Sequence, residues 1–191
     1  MIGILLAAGF SRRFGAEDKL LQPLPDGRLI AVAAAEHLIE AIPSCVAVVR
    51  AENKVLAEML TSKGFKLVFC DESKPEMADS LATAIRFAGG FAEANDGFVI
   101  ALADMPYIEA ATIRAVAEQL GEGESIVMPS YQGQRGHPVG FSAKFRHELE
   151  SLQGDEGARS IVKRYPDEVC LFACVDAGIL ADIDTPADLN Q

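Results

Sequence analysis

The chain has 191 residues, half of them hydrophobic and 24% charged, which describes a folded globular protein rather than a disordered one. Its formal net charge of -11 argues against a general nucleic-acid binder, which would carry a basic patch or stripe. An anionic small substrate stays open, because a pocket can hold its own local cations while the acidic surface serves solubility.

That length is enough for one domain with a sizeable core, and a single domain over 1–191 is expected. The apolar opening Met1–Ala8 lacks a basic leader, so no signal peptide is read. No apolar run approaches the roughly 20 residues that span a bilayer. A cytoplasmic protein with no membrane or nucleic-acid partner is expected. Cys45, Cys70, Cys170 and Cys174 form no CxxC pair and no framework spacing, so buried free thiols in a reducing compartment are expected.

In chain order, short apolar runs alternate with helical patterns. The runs are Ile2–Ala8, Cys45–Val49, Leu67–Cys70, Phe98–Ala103, Ile126–Met128 and Val169–Val175. They are nearly continuous in apolar residues, as strands are when both sheet faces are covered. Between them, Leu29–Ile39 is alanine-rich and favours helix. Val55, Leu56, Met59 and Leu60 share one helical face, as do Ile113, Val116, Ala117 and Leu120. Ser80–Ala88 reads as a helix ended by Gly89-Gly90. The alternation predicts an α/β fold, three αβα layers, Rossmann-like, with a mostly parallel central sheet. Such sheets bind ligands beyond the carboxyl ends of their strands, near the switch point.

The first run continues into Leu6-Ala7-Ala8-Gly9-Phe10-Ser11-Arg12-Arg13-Phe14-Gly15 and reaches Lys19. Ala7, Ala8 and Gly9 are small enough for backbone to approach a ligand. Gly9 and Gly15 permit positive φ, which would turn successive N–H groups into one concavity. Ser11 adds a hydroxyl, and Arg12, Arg13 and Lys19 add charge for phosphate. The loop matches neither G-x-x-x-x-G-K-[ST] nor G-x-G-x-x-G, so it reads as a triphosphate cradle of another kind. The alternative is a surface turn with solvated arginines.

The fourth run ends in Ala101-Leu102-Ala103-Asp104-Met105-Pro106. A carboxylate at the end of a buried strand suits Mg²⁺, which takes hard oxygens and often one or two carboxylates plus substrate phosphates. A turn aspartate before proline is the competing use. In Ala181-Asp182-Ile183-Asp184-Thr185-Pro186-Ala187-Asp188, Asp182 and Asp184 would share a face on a strand, and either is a candidate second metal ligand. Asp188 would sit in the first turn of the last helix, where the dipole favours its charge.

The first loop resembles the signature of the MobA-like NTP transferase family, the nucleotidyltransferases of molybdenum cofactor biosynthesis. Sugar-1-phosphate nucleotidyltransferases share a looser version. The resemblance implies that Leu6, Ala7, Ala8, Gly9, Ser11, Arg12 and Lys19 contact the nucleotide, with Arg12 and Lys19 neutralising the leaving pyrophosphate. It implies Mg²⁺ on Asp104, in a segment similar to the family's L-x-x-D-[MQ]-P, and on Asp182 or Asp184, in one similar to D-[IV]-[DN]-T-P-x-D. Ser80 is the best-matched member of Glu76-Met77-Ala78-Asp79-Ser80-Leu81, which resembles a segment near the base or ribose but lacks its glycine. Arg135-Gly136-His137-Pro138-Val139 and Gly154-Asp155-Glu156-Gly157-Ala158-Arg159 resemble motifs of the molybdenum cofactor cytidylyltransferases. By that resemblance His137, Asp155 and Arg159 bind the acceptor. As plain residues, His137 is a turn residue, Asp155 a helix cap over Glu156–Arg164, and Arg159 a solvated arginine. The Ala7-Ala8-Gly9 run is the cytidylyl form, while the Asp18-Lys19 pair is closer to the guanylyl form.

The function implied is transfer of CMP from CTP to the phosphate of molybdenum cofactor, catalysed by Arg12, Lys19 and Asp104. A molybdenum hydroxylase is a candidate client. Alternatives are a guanylyltransferase on the same cofactor, a transferase on a sugar or polyol phosphate, and a non-catalytic cofactor-binding accessory protein.

Overall fold

A computed structural model describes residues 1–9, 14, 18–70, 77–154 and 157–190. Among these, the central sheet holds eight strands. They are β1 (Ile2–Ala7), β2 (Cys45–Val49), β3 (Lys66–Phe69), β4 (Phe98–Leu102), β5 (Ile126–Tyr131), β6 (Gln134–Arg135), β7 (Val139–Phe141) and β8 (Val169–Ala173). The α-helices are α1 (Ile30–Ala41), α2 (Lys54–Ser62), α3 (Met77–Ala88), α4 (Ala110–Gly121), α5 (Arg146–Glu150) and α6 (Arg159–Arg164). The strand order is β3-β2-β1-β4-β7-β5-β6, with β8 paired to β5. β1 runs parallel to β2 and β4, β2 to β3, and β5 to β8, while β7 is antiparallel to β4 and β5.

The apolar runs alternate their side chains between two helix layers. Leu5, Ala7, Ala47, Val49, Val99 and Ala101 pack with α1, α2 and α4. Ile2, Ile4, Val46, Val48, Phe98 and Ile100 pack with α3, α5 and α6. This is the expected three-layer arrangement. Phe98 and Phe141, both fully buried, are register partners across β4 and β7. Burial of each stabilises by roughly 1.5–3 kcal/mol, which anchors the antiparallel strand in a sheet that is otherwise mostly parallel. Gly140 lets α4 come down on β7, since a Cβ there would lie 2.7 Å from both Leu120 and Val116.

Four local expectations change. The edge strands β3 and β8 are only half covered, with Phe69 and Leu171 exposed, because nothing packs on their outer edge in the sheet order. β6 and β7 were not anticipated: two polar residues and three residues behind a proline carry no strand period. Ala181–Asp184 forms no strand, so Asp182 and Asp184 do not share a pleated face. Of the helix expected over Glu156–Arg164, Glu156 lies outside the described residues, Gly157 and Ala158 form a turn, and the α-helix runs over Arg159–Arg164. All four cysteines are free, but only Cys45 is buried. Burial pushes its thiol up to about 12.

The chain steps outward from β1 through β2 to β3, then returns to place β4 on the other side of β1. The carboxyl ends of β1 and β4 are therefore the switch point, the crevice where such sheets take ligands.

Candidate functional site

Both loops singled out in the sequence leave the sheet at this crevice. Ala103 N–H donates to the Leu6 carbonyl at 3.1 Å, tying the two together as they diverge. Ala7 and Ala8 are buried and Gly9 is exposed. Gly9 does not take the positive φ expected of it. What its missing Cβ leaves is room among the described residues, none of which has an atom within 4 Å of where one would project. Ser11, Arg12, Arg13 and Gly15 lie outside the described residues, as does Asp155.

Lys19 opens a 3-10 turn, Lys19–Leu21, whose cap is Asp18: its carboxylate accepts the Leu20 N–H at 3.0 Å. Asn53, which itself caps α2, donates to the same carboxylate from its side-chain amide, and Arg50 pairs with it at 3.7 Å. The loop after β2 thus fixes the backbone that carries Lys19. Asp18 was noted in the sequence only as part of the Asp18-Lys19 pair, and Arg50 and Asn53 were not singled out. Their signal was a cluster of polar residues immediately after the second buried strand, the position where function was sought.

The Lys19 side chain is 11% exposed, and its ammonium donates to Asp104 Oδ2 at 2.8 Å and to Asp184 Oδ1 at 3.4 Å. Three residues from distant parts of the chain thus meet at one cation. Asp184 arrives by a docked strap. Ile183 is buried, and its N–H donates to the Asp104 carbonyl at 2.9 Å. The following turn is held by Asp188, whose Oδ2 accepts the Asp184 N–H, the Thr185 N–H and the Thr185 hydroxyl. Those bonds, the Thr185 N–H foremost, hold its carboxyl below the usual range. Asp188 lies in the first turn of the last helix, a short 3-10 helix over Pro186–Asn190, as expected, and shapes the preceding turn through these hydrogen bonds. Asp182 is exposed and makes no hydrogen bond or ion pair with Lys19 or Asp104 among the described residues.

Asp104 and Asp184 offer hard oxygens converging on one cation, each side chain a little over a quarter exposed. Among the described residues no three His, Cys, Asp or Glu side chains gather to hold a metal. A divalent ion here would take two carboxylates and complete its shell with water or phosphate, which is the habit of Mg²⁺. The donor set fits that ion.

Behind the site, His137 is half-buried, and its Nδ1 is shielded from solvent with no hydrogen-bond partner among the described residues. Burial, then the nearby Arg159 charge, lowers its pKa to about 4 against an opposing pull from Asp104. It is therefore a neutral imidazole near pH 7, beside Asp104 and Arg159. The backbone N–H of His137 donates to the Ile179 carbonyl at 3.0 Å. Gly136 is obligatory for that approach, since a Cβ would lie 2.4 Å from the same carbonyl oxygen. Arg159 is exposed at the start of α6, and Ser80 is buried in the first turns of α3.

The segment that receives His137 is held by a residue the sequence reading passed over. Asp176, 4% exposed, accepts the Gly178 N–H at 2.8 Å, the Glu109 N–H at 2.9 Å and the Thr112 hydroxyl at 2.7 Å. It caps α4 from 67 positions away.

The chain is 29% identical to the purine catabolism protein PucB of Bacillus subtilis (strain 168), over 100% of this chain and 95% of that one. It is 27% identical to the nicotine blue oxidoreductase of Paenarthrobacter nicotinovorans, over 96% and 91%. Among solved structures it is similar to Rv0371c of Mycobacterium tuberculosis H37Rv, with TM-score 0.80, 28% identity and coverage of 100% and 96%. A second structure of that protein is a manganese complex, with TM-score 0.76, 27% identity and coverage of 99% and 95%. The MobA-like NTP transferase domain model matches residues 3–169. With that match over most of its length and the switch-point site it carries, the chain belongs to the MobA-like NTP transferase family.

Proposed function

We propose that this protein transfers CMP from CTP to the phosphate of molybdenum cofactor and releases pyrophosphate. The observation that carries the reading is the meeting of Lys19, Asp104 and Asp184 at the carboxyl ends of β1 and β4. A buried cation with two partly exposed carboxylates suits a reaction that moves negative charge between phosphates. The Arg135–Val139 segment supports the cytidylyl class of acceptor.

In this mechanism the nucleotide lies across Leu6, Ala7, Ala8 and Gly9, where the missing Gly9 side chain leaves space among the described residues. Ser11 and Arg12 contact its phosphates, and Ser80 lies toward the base or ribose. The acceptor phosphate attacks the α-phosphorus in line. Arg12 and Lys19 neutralise the departing pyrophosphate, so the chain works by positioning and charge rather than by covalent chemistry. A phosphate monoester is already ionised near pH 7 and needs no strong general base. Mg²⁺ held by Asp104 and Asp184 would supply charge neutralisation between the phosphates. His137 is neutral, so it offers the acceptor a hydrogen bond, while Arg159 supplies the charge and Asp155 orients them. Asp182 is the alternative second carboxylate. Work in the cytoplasm, with a molybdenum hydroxylase as client, completes the reading.

The test is pyrophosphate release with Mg²⁺ and molybdenum-loaded pterin cofactor, offering CTP, GTP, ATP and UTP separately. Release with CTP alone is expected, and Asp104→Asn abolishes it while leaving the fold intact. Preference for GTP would move the base assignment. Thermal stabilisation by nucleotide without turnover would indicate an accessory binder instead.

A further inference from the structure

The Lys19 ammonium occupies the place that a divalent cation on Asp104 and Asp184 would need. Its Nζ is 2.8 Å from one carboxylate and 3.4 Å from the other. A Mg²⁺ ligand distance of about 2.0–2.1 Å puts an ion on those oxygens within the space the ammonium fills. Two cations on the same pair of oxygens repel, so one must leave. With its side chain 11% exposed, Lys19 cannot relax into bulk water without losing its burial. It needs an anion in every state.

We propose that Lys19 is a resident counter-ion that keeps the metal position closed until a nucleotide arrives, so that the divalent ion enters with the nucleotide and not before it. This rests on reading Asp104 and Asp184 as the metal carboxylates. An incoming triphosphate offers the ammonium charged oxygens of the same kind as the ones it leaves. The exchange therefore costs Lys19 no partner. It uncovers two carboxylates at the moment a metal–phosphate complex is present to use them. The 3-10 turn capped by Asp18 holds the backbone that carries Lys19, so the switch is a movement of the lysine side chain. The consequence is ordered loading: metal alone binds weakly, and metal with nucleotide binds well.

The experiment measures Mn²⁺ binding from the electron paramagnetic resonance signal of the free ion. Wild type, Asp104→Asn, Lys19→Met and Lys19→Met/Asp104→Asn are compared with and without a non-hydrolysable CTP analogue. Methionine keeps much of the apolar stem and removes the charge. Circular dichroism and thermal unfolding verify the fold, and Lys19→Gln replaces methionine if that variant fails to fold. Without nucleotide, the neutral variant is expected to bind Mn²⁺ at least about tenfold tighter than wild type, the effect of removing one adjacent like charge. The gain should vanish in the double variant. A neutral variant that binds Mn²⁺ no better than wild type, while wild type shows Asp104-dependent binding with the analogue, overturns the counter-ion and leaves the metal site standing. A gain that survives Asp104→Asn also overturns it, because the ion then sits elsewhere. Absence of Asp104-dependent binding in every protein, with or without analogue, overturns the metal site and the counter-ion together.

Discussion

Asp176→Ala is the most searching test of how the site is held. The carboxylate is buried and accepts three hydrogen bonds, from Gly178 N–H, Glu109 N–H and the Thr112 hydroxyl. Alanine leaves two backbone donors at the starts of α4 and of the following 3-10 turn without a partner. It also frees a hydroxyl that can rotate elsewhere. An abandoned buried donor costs about 1–3 kcal/mol, and loss of the hydroxyl bond about 1 kcal/mol more. The expected loss is roughly 3–7 kcal/mol, a large share of the about 5–15 kcal/mol that holds a typical domain together. For a chain of this size that lowers Tm by about 6–28 °C. Asp176→Asn keeps one accepting oxygen and turns an NH₂ toward donors, so it should fall between Asp176→Ala and Thr112→Val, which loses a single bond. Urea unfolding followed by circular dichroism reads all three. An Asp176→Ala variant within about 1 kcal/mol of wild type, or a Thr112→Val variant that is the worst of the three, refutes the tertiary cap.

Two further outcomes concern His137. Gly136→Ala drives a methyl against the Ile179 carbonyl, with an expected cost of about 1–3 kcal/mol and a matching drop in Tm measured by calorimetry. The His137 pKa of about 4 lies below the usual 6.5, so the unfolded chain binds the extra proton between those values. Its contribution is complete above pH 6.5, is lost as pH falls toward 4 and is flat below, about 3 kcal/mol in all. Urea unfolding at pH 7 and pH 4.5 should therefore show a smaller acid loss in His137→Gln than in wild type. Equal losses would mean the ring is not held neutral by burial.

Much of the architecture was legible because the interior strands are covered on both faces. β1, β2 and β4 read as unbroken apolar runs, and the helices between them show their buried stripes. The reading weakened where a strand lies at an edge or is short. β3 and β8 look like interior strands in sequence because Phe69 and Leu171 stay exposed on their outer faces, and β6 has too few residues to show a period. At the site, the types and positions of Lys19 and Asp104 were legible from their place after buried strands. Their pairing was not, because an ion pair across 85 positions leaves no periodic trace. Asp184 and Asp182 stand two residues apart in one acidic run, and only the docking of Ile183 on Asp104 distinguishes them. Asp176 looked like an ordinary loop acid. Its role depends on α4 presenting an uncapped start, which only the tertiary arrangement reveals.

The three charges at the crevice come from chain positions 19, 104 and 184, and the two ion pairs span 85 and 165 positions. During synthesis at about 5–20 residues per second, Lys19 and the first strand exist for many seconds before Asp184 is made. Contacts of such span carry the largest loop-closure cost and form late. A partly folded chain can build β1 to β4 and still lack the closed site. The Lys19–Asp184 contact is therefore an internal reporter of complete folding, and a chain that stops short of the strap keeps the Lys19–Asp104 pair without Asp184.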